Sequence, residues 1–116
     1  MLSKKEFYRS LPEVVKGILL VSEGWLVGSS IENHLEEKEN IDYDILIQDR
    51  QKYQLTIMSL NQLPVIMTVN SYGGLKFEVF KISIDIWPEE LDHFLKSSAK
   101  INYIYNHKAQ ILLNTK

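Results

Sequence analysis

The 116-residue chain has no cysteine, so neither a disulfide nor a thiolate metal site enters its chemistry. It also lacks a long apolar run. The longest, such as Gly17-Ile18-Leu19-Leu20-Val21, fall far short of the ~20 residues that a membrane-spanning helix needs. The opening Met-Leu-Ser-Lys-Lys-Glu-Phe lacks the apolar core of a signal peptide, so a soluble, cytoplasmic protein with no membrane partner is expected. There is no excess of positive charge. A net charge of −2 and a pI near 5.9 argue against a strong overall grip on nucleic acid, while leaving room for a local basic patch. Repeats, low-complexity tracts and linkers are absent too. What is there is 45% apolar and 24% charged, as in soluble globular proteins, in a length that suits a single domain over residues 1–116.

Local signals divide that domain into short elements. Ser3 with Glu6, and Ser10 with Glu13, both read as capping boxes, and Pro12 suits a first helical turn. Val14, Val15, Ile18 and Leu19 fall on one face of the second helix, which Gly24 is expected to stop. Trp25-Leu26-Val27 reads as a short strand, and Gly28-Ser29-Ser30 as a turn into a short helix with Ile31 and Leu35 inward. Ile41 to Ile47 is a strand apolar on both faces beyond Asp44, hence central in its sheet. Asp49 caps a helix to about Asn61 with Tyr53, Ile57 and Leu60 inward. Val65 to Val69 is a strand, Ser71-Tyr72-Gly73-Gly74 a turn, and Leu75 to Trp87 one long strand or two broken near Lys81. Pro88 starts a helix burying Leu91, Phe94 and Leu95. Ile101–Tyr105 and Gln110–Leu113 form a hairpin around Asn106-His107. This order predicts an α+β fold, a small mixed β-sheet with helices packed on it.

Aspartate suits strand interiors poorly, yet Asp42 and Asp44 sit at i, i+2 in an apolar strand, where alternation sends both to one face. Two carboxylates that close repel unless a cation lies between them, and hard oxygen ligands suit Mg²⁺ or Mn²⁺. Asp85, in Lys-Ile-Ser-Ile-Asp-Ile-Trp, shares a strand face with Ser83 and Trp87; it joins the pair if the two strands are neighbours. Any one of these acids alone reads more readily as a surface residue. Three, each set in β-branched sequence, do not. At Gly28-Ser29-Ser30 a glycine permits close backbone approach and a helix start offers free N–H groups to phosphate; Gly-Ser alone is weak evidence, and its place before the Asp pair lends it weight.

Together, Leu26-Val27-Gly28-Ser29, then Asp42-Tyr43-Asp44-Ile45-Leu46-Ile47, then Ile84-Asp85-Ile86 resemble the DNA polymerase β-like nucleotidyltransferase superfamily. That family's pattern is an apolar strand, Gly-Ser or Gly-Gly, a helix, Asp-x-Asp in the next strand and a third acid in a later one. The spacing from Gly-Ser to Asp-x-Asp is slightly longer here than in its compact members. The likeness is nearest to minimal nucleotidyltransferases, some of which partner a toxin or a helical protein. Gly73-Gly74 and Trp87-Pro88 are also similar to poly(A)-polymerase-head-like members.

The resemblance implies a palm-like core with catalytic and metal-holding Asp42, Asp44 and Asp85, Mg²⁺ or Mn²⁺ as cofactor, and the triphosphate of an NTP (ATP the expected one) on Gly28, Ser29 and Ser30. It implies transfer of a nucleoside monophosphate to a hydroxyl acceptor, with a protein hydroxyl, a small antibiotic-like alcohol and an RNA 3′ end all open, and with Asp85 on the acceptor side. The helical domain that completes the pocket of larger members has no counterpart, so a homodimer or a helical partner protein is expected, with Ile104, Tyr105, Ile111 and Leu112 as candidate contacts.

Tyr72, Gly73 and Gly74 form a possible substrate loop, although a plain hairpin turn explains them equally. Lys76 and Lys81 read as solvated or phosphate-steering, Trp87 as core or pocket wall, and His34, His93 and His107 as surface residues without metal-ligand spacing. Three rival readings stand: a non-catalytic interaction module of antitoxin or regulatory-subunit type, a different metal-dependent phosphotransfer or phosphodiesterase activity on the same acids, and a purely structural protein.

Overall fold

The computed structural model describes residues 3–70, 73–97, 102–109 and 111–114. Ser3 opens α1 (Lys4–Ser10): its hydroxyl accepts the Glu6 N–H while the Glu6 carboxylate accepts the Ser3 N–H, the reciprocal box expected. The second box does not form. Ser10 still belongs to α1 and its hydroxyl donates to the Phe7 carbonyl at 2.6 Å, so Pro12 heads α2 (Glu13–Ser22) without a side-chain cap. Nor does Gly24 stop α2; Glu23 does, in the left-handed region at φ 55°. Gly24 serves packing instead, because a Cβ there would lie 2.7 Å from the Leu46 carbonyl oxygen.

The chain continues through β1 (Trp25–Val27), α3 (Ser29–Leu35), β2 (Asp42–Leu46) and α4 (Arg50–Leu60), whose first turn is capped by the Asp49 carboxylate on the Lys52 N–H. Strands β3 (Ile66–Val69), β4 (Leu75–Val79) and β5 (Ile82–Trp87) follow. The break near Lys81 is a two-residue turn with Phe80 and Lys81 both at positive φ, a geometry that twists with the flanking strands. Helix α5 (Leu91–Ser97) begins three residues beyond Pro88, where the Gln48 side chain accepts the Leu91 N–H, and β6 (Tyr103–Asn106) and β7 (Ile111–Asn114) close the chain.

Among the described residues the seven strands form one mixed sheet in the order β3-β4-β5-β2-β1-β6-β7, with β2 at its centre. β2 pairs antiparallel with β1 and parallel with β5; the remaining pairs are antiparallel. Alternation gives the sheet two different faces. One carries Leu26, Tyr43, Ile45, Phe77, Ile84 and Ile86, and packs with Phe7, Leu19, Ile31 and Leu60 of α1 to α4 into the main core. The other carries a smaller apolar cluster of Val27, Leu46 and Ile104, on which Trp25, Trp87 and α5 residues Leu91, Phe94 and Leu95 rest. Helices thus cover the centre of one face and one end of the other, while β3 at the sheet edge is exposed on both sides. The remainder of that second face is where the aspartates stand. Among the described residues no helix is long and apolar enough to cross a membrane.

Ile104 and Tyr105, candidates for a partner contact, are each only 3% exposed and belong to these two cores. The side chains of Ile111 and Leu112 lie outside the described ones.

Candidate functional site

The register brings the two acidic strands side by side. Asp42 pairs with Ser83 and Asp44 with Asp85, so Asp42, Asp44 and Asp85 project from the same face of neighbouring strands. Lys76 pairs with Asp85 across the β4–β5 ladder and joins that face. Position sets their environments apart. Asp42, at the head of β2, is exposed; Asp44 is half-buried; Asp85 is 9% exposed.

β1 delivers the glycine turn to the same place. Val27 pairs with Asp44, and the next residue, Gly28, takes φ +88°. That φ favours glycine, and a Cβ there would lie 2.9 Å from Asp44 Oδ2 and push the carboxylate aside. Gly28 heads α3 without any side-chain cap. Ser29 is exposed, while Ser30 is buried with its hydroxyl oxygen lacking a hydrogen-bond partner among the described residues. A buried polar atom without a partner is costly, and it stands in the turn expected to meet phosphate.

Asp85 is held from two sides. Asn70 Nδ2 donates to its Oδ1 at 3.2 Å, and Lys76 Nζ stands 3.9 Å from its Oδ2. Asn70 in turn accepts the Gly74 N–H on its Oδ1 at 2.8 Å, while its backbone N–H donates to the Gly74 carbonyl at 2.9 Å. One side chain therefore ties the β3–β4 turn to the third aspartate. Sequence reasoning missed Asn70; its only signal was an Asn just ahead of a Gly-Gly turn.

Asp44 accepts no hydrogen bond among the described residues. Burial, then the charges of Asp85 and Asp42, raise its carboxyl from 3.8 to about 6, against a smaller opposing effect of Lys76. This acid is disfavoured as an anion and would be relieved by a cation. Among the described residues no three His, Cys, Asp or Glu side chains stand in an arrangement that could hold a metal ion. The donor set still has the chemistry for a hard divalent cation: three carboxylates on one face, of which, among the described residues, only Asp85 has a hydrogen-bond or ion-pair partner.

The remaining candidates are dispersed. Tyr72 lies outside the described residues. Gly73 is exposed at φ +81°, and Gly74 is a packing residue, since a Cβ there would come within 2.4 Å of Trp87 Cδ1. Lys81 is in the β4–β5 turn. His93 is exposed and pairs with Glu89, as a surface residue does. The other two histidines are not plain surface residues. His34 Nδ1 meets Ser10 Oγ at 3.0 Å and Nε2 meets the Tyr43 hydroxyl at 2.7 Å, on the helical side of the sheet, where burial lowers its pKa. His107 stacks on Tyr8. Helical spacing reveals neither contact, because each joins residues distant in sequence.

The chain matches no family model, no curated protein and no solved structure.

Proposed function

We propose that this protein is a metal-dependent nucleotidyltransferase that moves a nucleoside monophosphate from an NTP to a hydroxyl acceptor. One observation carries the reading: Asp44, a carboxylate that accepts no hydrogen bond among the described residues and is raised to about 6, lies between the Gly28 turn and Asp85 on one sheet face. A strand, Gly-Ser, a helix, Asp-x-Asp on the next strand and a third Asp on the strand beside it supports the same family of chemistry. Asp42, Asp44 and Asp85 would hold Mg²⁺ or Mn²⁺, which neutralises triphosphate charge and acidifies the acceptor hydroxyl when bound.

The chain's own groups then divide the work. Gly28 leaves the space beside Asp44 free of a side chain, and Ser29 with the N–H groups after it cradles the β- and γ-phosphates. Asp85, oriented by Asn70, receives the acceptor's proton. The new bond forms between the acceptor oxygen and the α-phosphorus. The bond from that phosphorus to the bridging oxygen breaks, and pyrophosphate leaves.

The test is a thermal shift. An NTP with Mg²⁺ should raise the melting temperature, by mass action on the native state, and EDTA should abolish the shift. Asp42→Asn and Asp44→Asn should lose it while Asp92→Asn, on α5 outside the constellation, keeps it. Equal shifts in all three variants would place nucleotide elsewhere and end the assignment.

A second reading, a nucleotidyltransferase-like fold serving as the partner of another protein, is favoured by the opposite side of the molecule. A cavity of about 250 Å³ between α2 and α4 is lined by Val14, Gly17, Val21, Ser59 and Leu63, and exposed Leu20 and Met58 belong to the same two helices. Mass in solution across protein concentration distinguishes the two: a strict monomer with transfer activity contradicts this reading.

A further inference from the structure

Away from the aspartates, unassigned chemistry is most concentrated where α1 meets the end of β6. A cavity of about 460 Å³ there is lined by Lys4, Lys5, Tyr8, Arg9, Tyr105 and His107. It lies on the helical side of the sheet: Tyr105 pairs with Leu26, whereas Asp44 pairs with Val27, and successive strand residues point to opposite faces. It is therefore separate from the site described above.

Its charge is unbalanced. Among the described residues Lys4, Lys5 and Arg9 form no ion pair, while Lys16, Lys38, Lys52, Lys76 and Lys108 each pair with a carboxylate. The only carboxylate of α1, Glu6, is engaged with Ser3 at the start of its own helix. Three unpaired cations thus border one cavity of a chain whose net charge is −2. That concentration favours an anion locally, against the overall sign.

The cavity also holds an ordered aromatic platform. The Tyr8 and His107 rings stack with centroids 3.8 Å apart and planes 8° apart. Lys16 Nζ lies 5.6 Å from the Tyr8 ring centre, and the Tyr105 hydroxyl meets His107 Nδ1 at 2.9 Å. Both stacked rings remain partly exposed. A flat ring fixed by a stack and a hydrogen bond offers a surface to another flat ring, and cations beside it suit a phosphate joined to that ring. The volume falls within the range of small-ligand sites and suits a single nucleotide unit.

We propose that this pocket binds a nucleoside phosphate, with the base continuing the Tyr8–His107 stack and the phosphate on Lys4, Lys5 and Arg9. The ligand is either a free nucleotide or one residue of a single strand, and its binding needs no metal because the cations are the protein's own.

The experiment is fluorescence anisotropy of the full chain with a short 5′-fluorescein single-stranded oligonucleotide in EDTA, with AMP as competitor. A matching direct titration of AMP is followed by calorimetry. Binding of either probe is expected in EDTA and unchanged in Asp44→Asn. Lys5→Glu and Arg9→Glu, at surface positions, should each weaken it about tenfold or more and flatten its salt dependence by about 0.7 for each phosphate no longer neutralised. His107→Ala should weaken it with the salt slope kept, which separates stacking from charge. Displacement of the strand by AMP identifies a mononucleotide site; strand binding that AMP does not displace identifies a single-strand site. Binding unaffected by both charge reversals, binding that requires Mg²⁺ and vanishes in Asp44→Asn, or no binding of either probe at low salt would overturn the proposal. None of these outcomes depends on nucleotidyl transfer.

Discussion

Asp44→Asn is expected to make the protein more stable while removing its response to metal and nucleotide. Burial, with the charges of Asp85 and Asp42, raises the carboxyl from 3.8 to about 6. One unit corresponds to about 1.4 kcal/mol, so the ionised side chain costs at most about 3 kcal/mol in the fold; its partial exposure reduces this to about 1–2 kcal/mol. Because the folded-state value lies above the unfolded one, the native state binds the proton more readily. The group's contribution is thus fully present below about pH 4 and lost as pH rises through about 6. At pH 8 the anion is carried at full cost, and asparagine, nearly the same shape without the charge, removes it. Melting followed by circular dichroism should show Asp44→Asn about 4–8 °C above wild type at pH 8, with the gap closing toward pH 4. Divalent cation should raise the wild type and leave the variant unmoved. A variant that melts at or below wild type at pH 8, or one whose advantage is the same at both ends of the range, would refute the claim that Asp44 is a strained anion.

Four further outcomes follow from the packing. Gly28→Ala sets a Cβ against Asp44 at a positive φ and should cost about 1–3 kcal/mol by urea unfolding, whereas Gly17→Ala, mid-helix with open space around its Cβ, should gain about 0.5–1 kcal/mol. Asn70→Ala unties Asp85 from the β3–β4 turn and should cost about 1–2 kcal/mol while weakening the metal-dependent thermal shift, a combination that a purely structural role would not produce. Phe7→Ala should cost about 3–5 kcal/mol, since Phe7 is fully buried and anchors α1; a loss below about 1 kcal/mol would mean that α1 is not docked.

The parts of the fold legible in the sequence were those set by short-range rules. Period-two alternation places Asp42 beside Asp44, and apolar residues on both sides of that strand place it at the sheet centre. The Ser3–Glu6 box and the Asp49 cap follow from side chains reaching their own helix. Where two local rules competed, the reading failed. Ser10 was close enough to the Phe7 carbonyl to finish α1 rather than start α2, and Glu23 took the left-handed position that Gly24 could have filled. Pairing of β2 with β5 was conditional in the sequence, because some forty residues and two other strands separate them; only the register sets Asp85 beside Asp44. Asn70, the Ser10–His34–Tyr43 chain and the Tyr8–His107 stack were invisible for one reason. Each joins segments that meet only after the sheet has formed.

The central claim is that the Asp42–Asp44–Asp85 face transfers nucleotides. The most direct measurement is intact mass of protein, small-alcohol and RNA 3′-end acceptors after incubation with the chain, each NTP and Mg²⁺, with pyrophosphate assayed in the same samples. The account predicts a mass gain of one nucleoside monophosphate on one acceptor class, equal pyrophosphate release, and loss of both in Asp42→Asn and Asp85→Asn. A mass gain and pyrophosphate yield that persist in those two variants, or neither signal with any acceptor from protein that binds NTP and Mg²⁺, would contradict it.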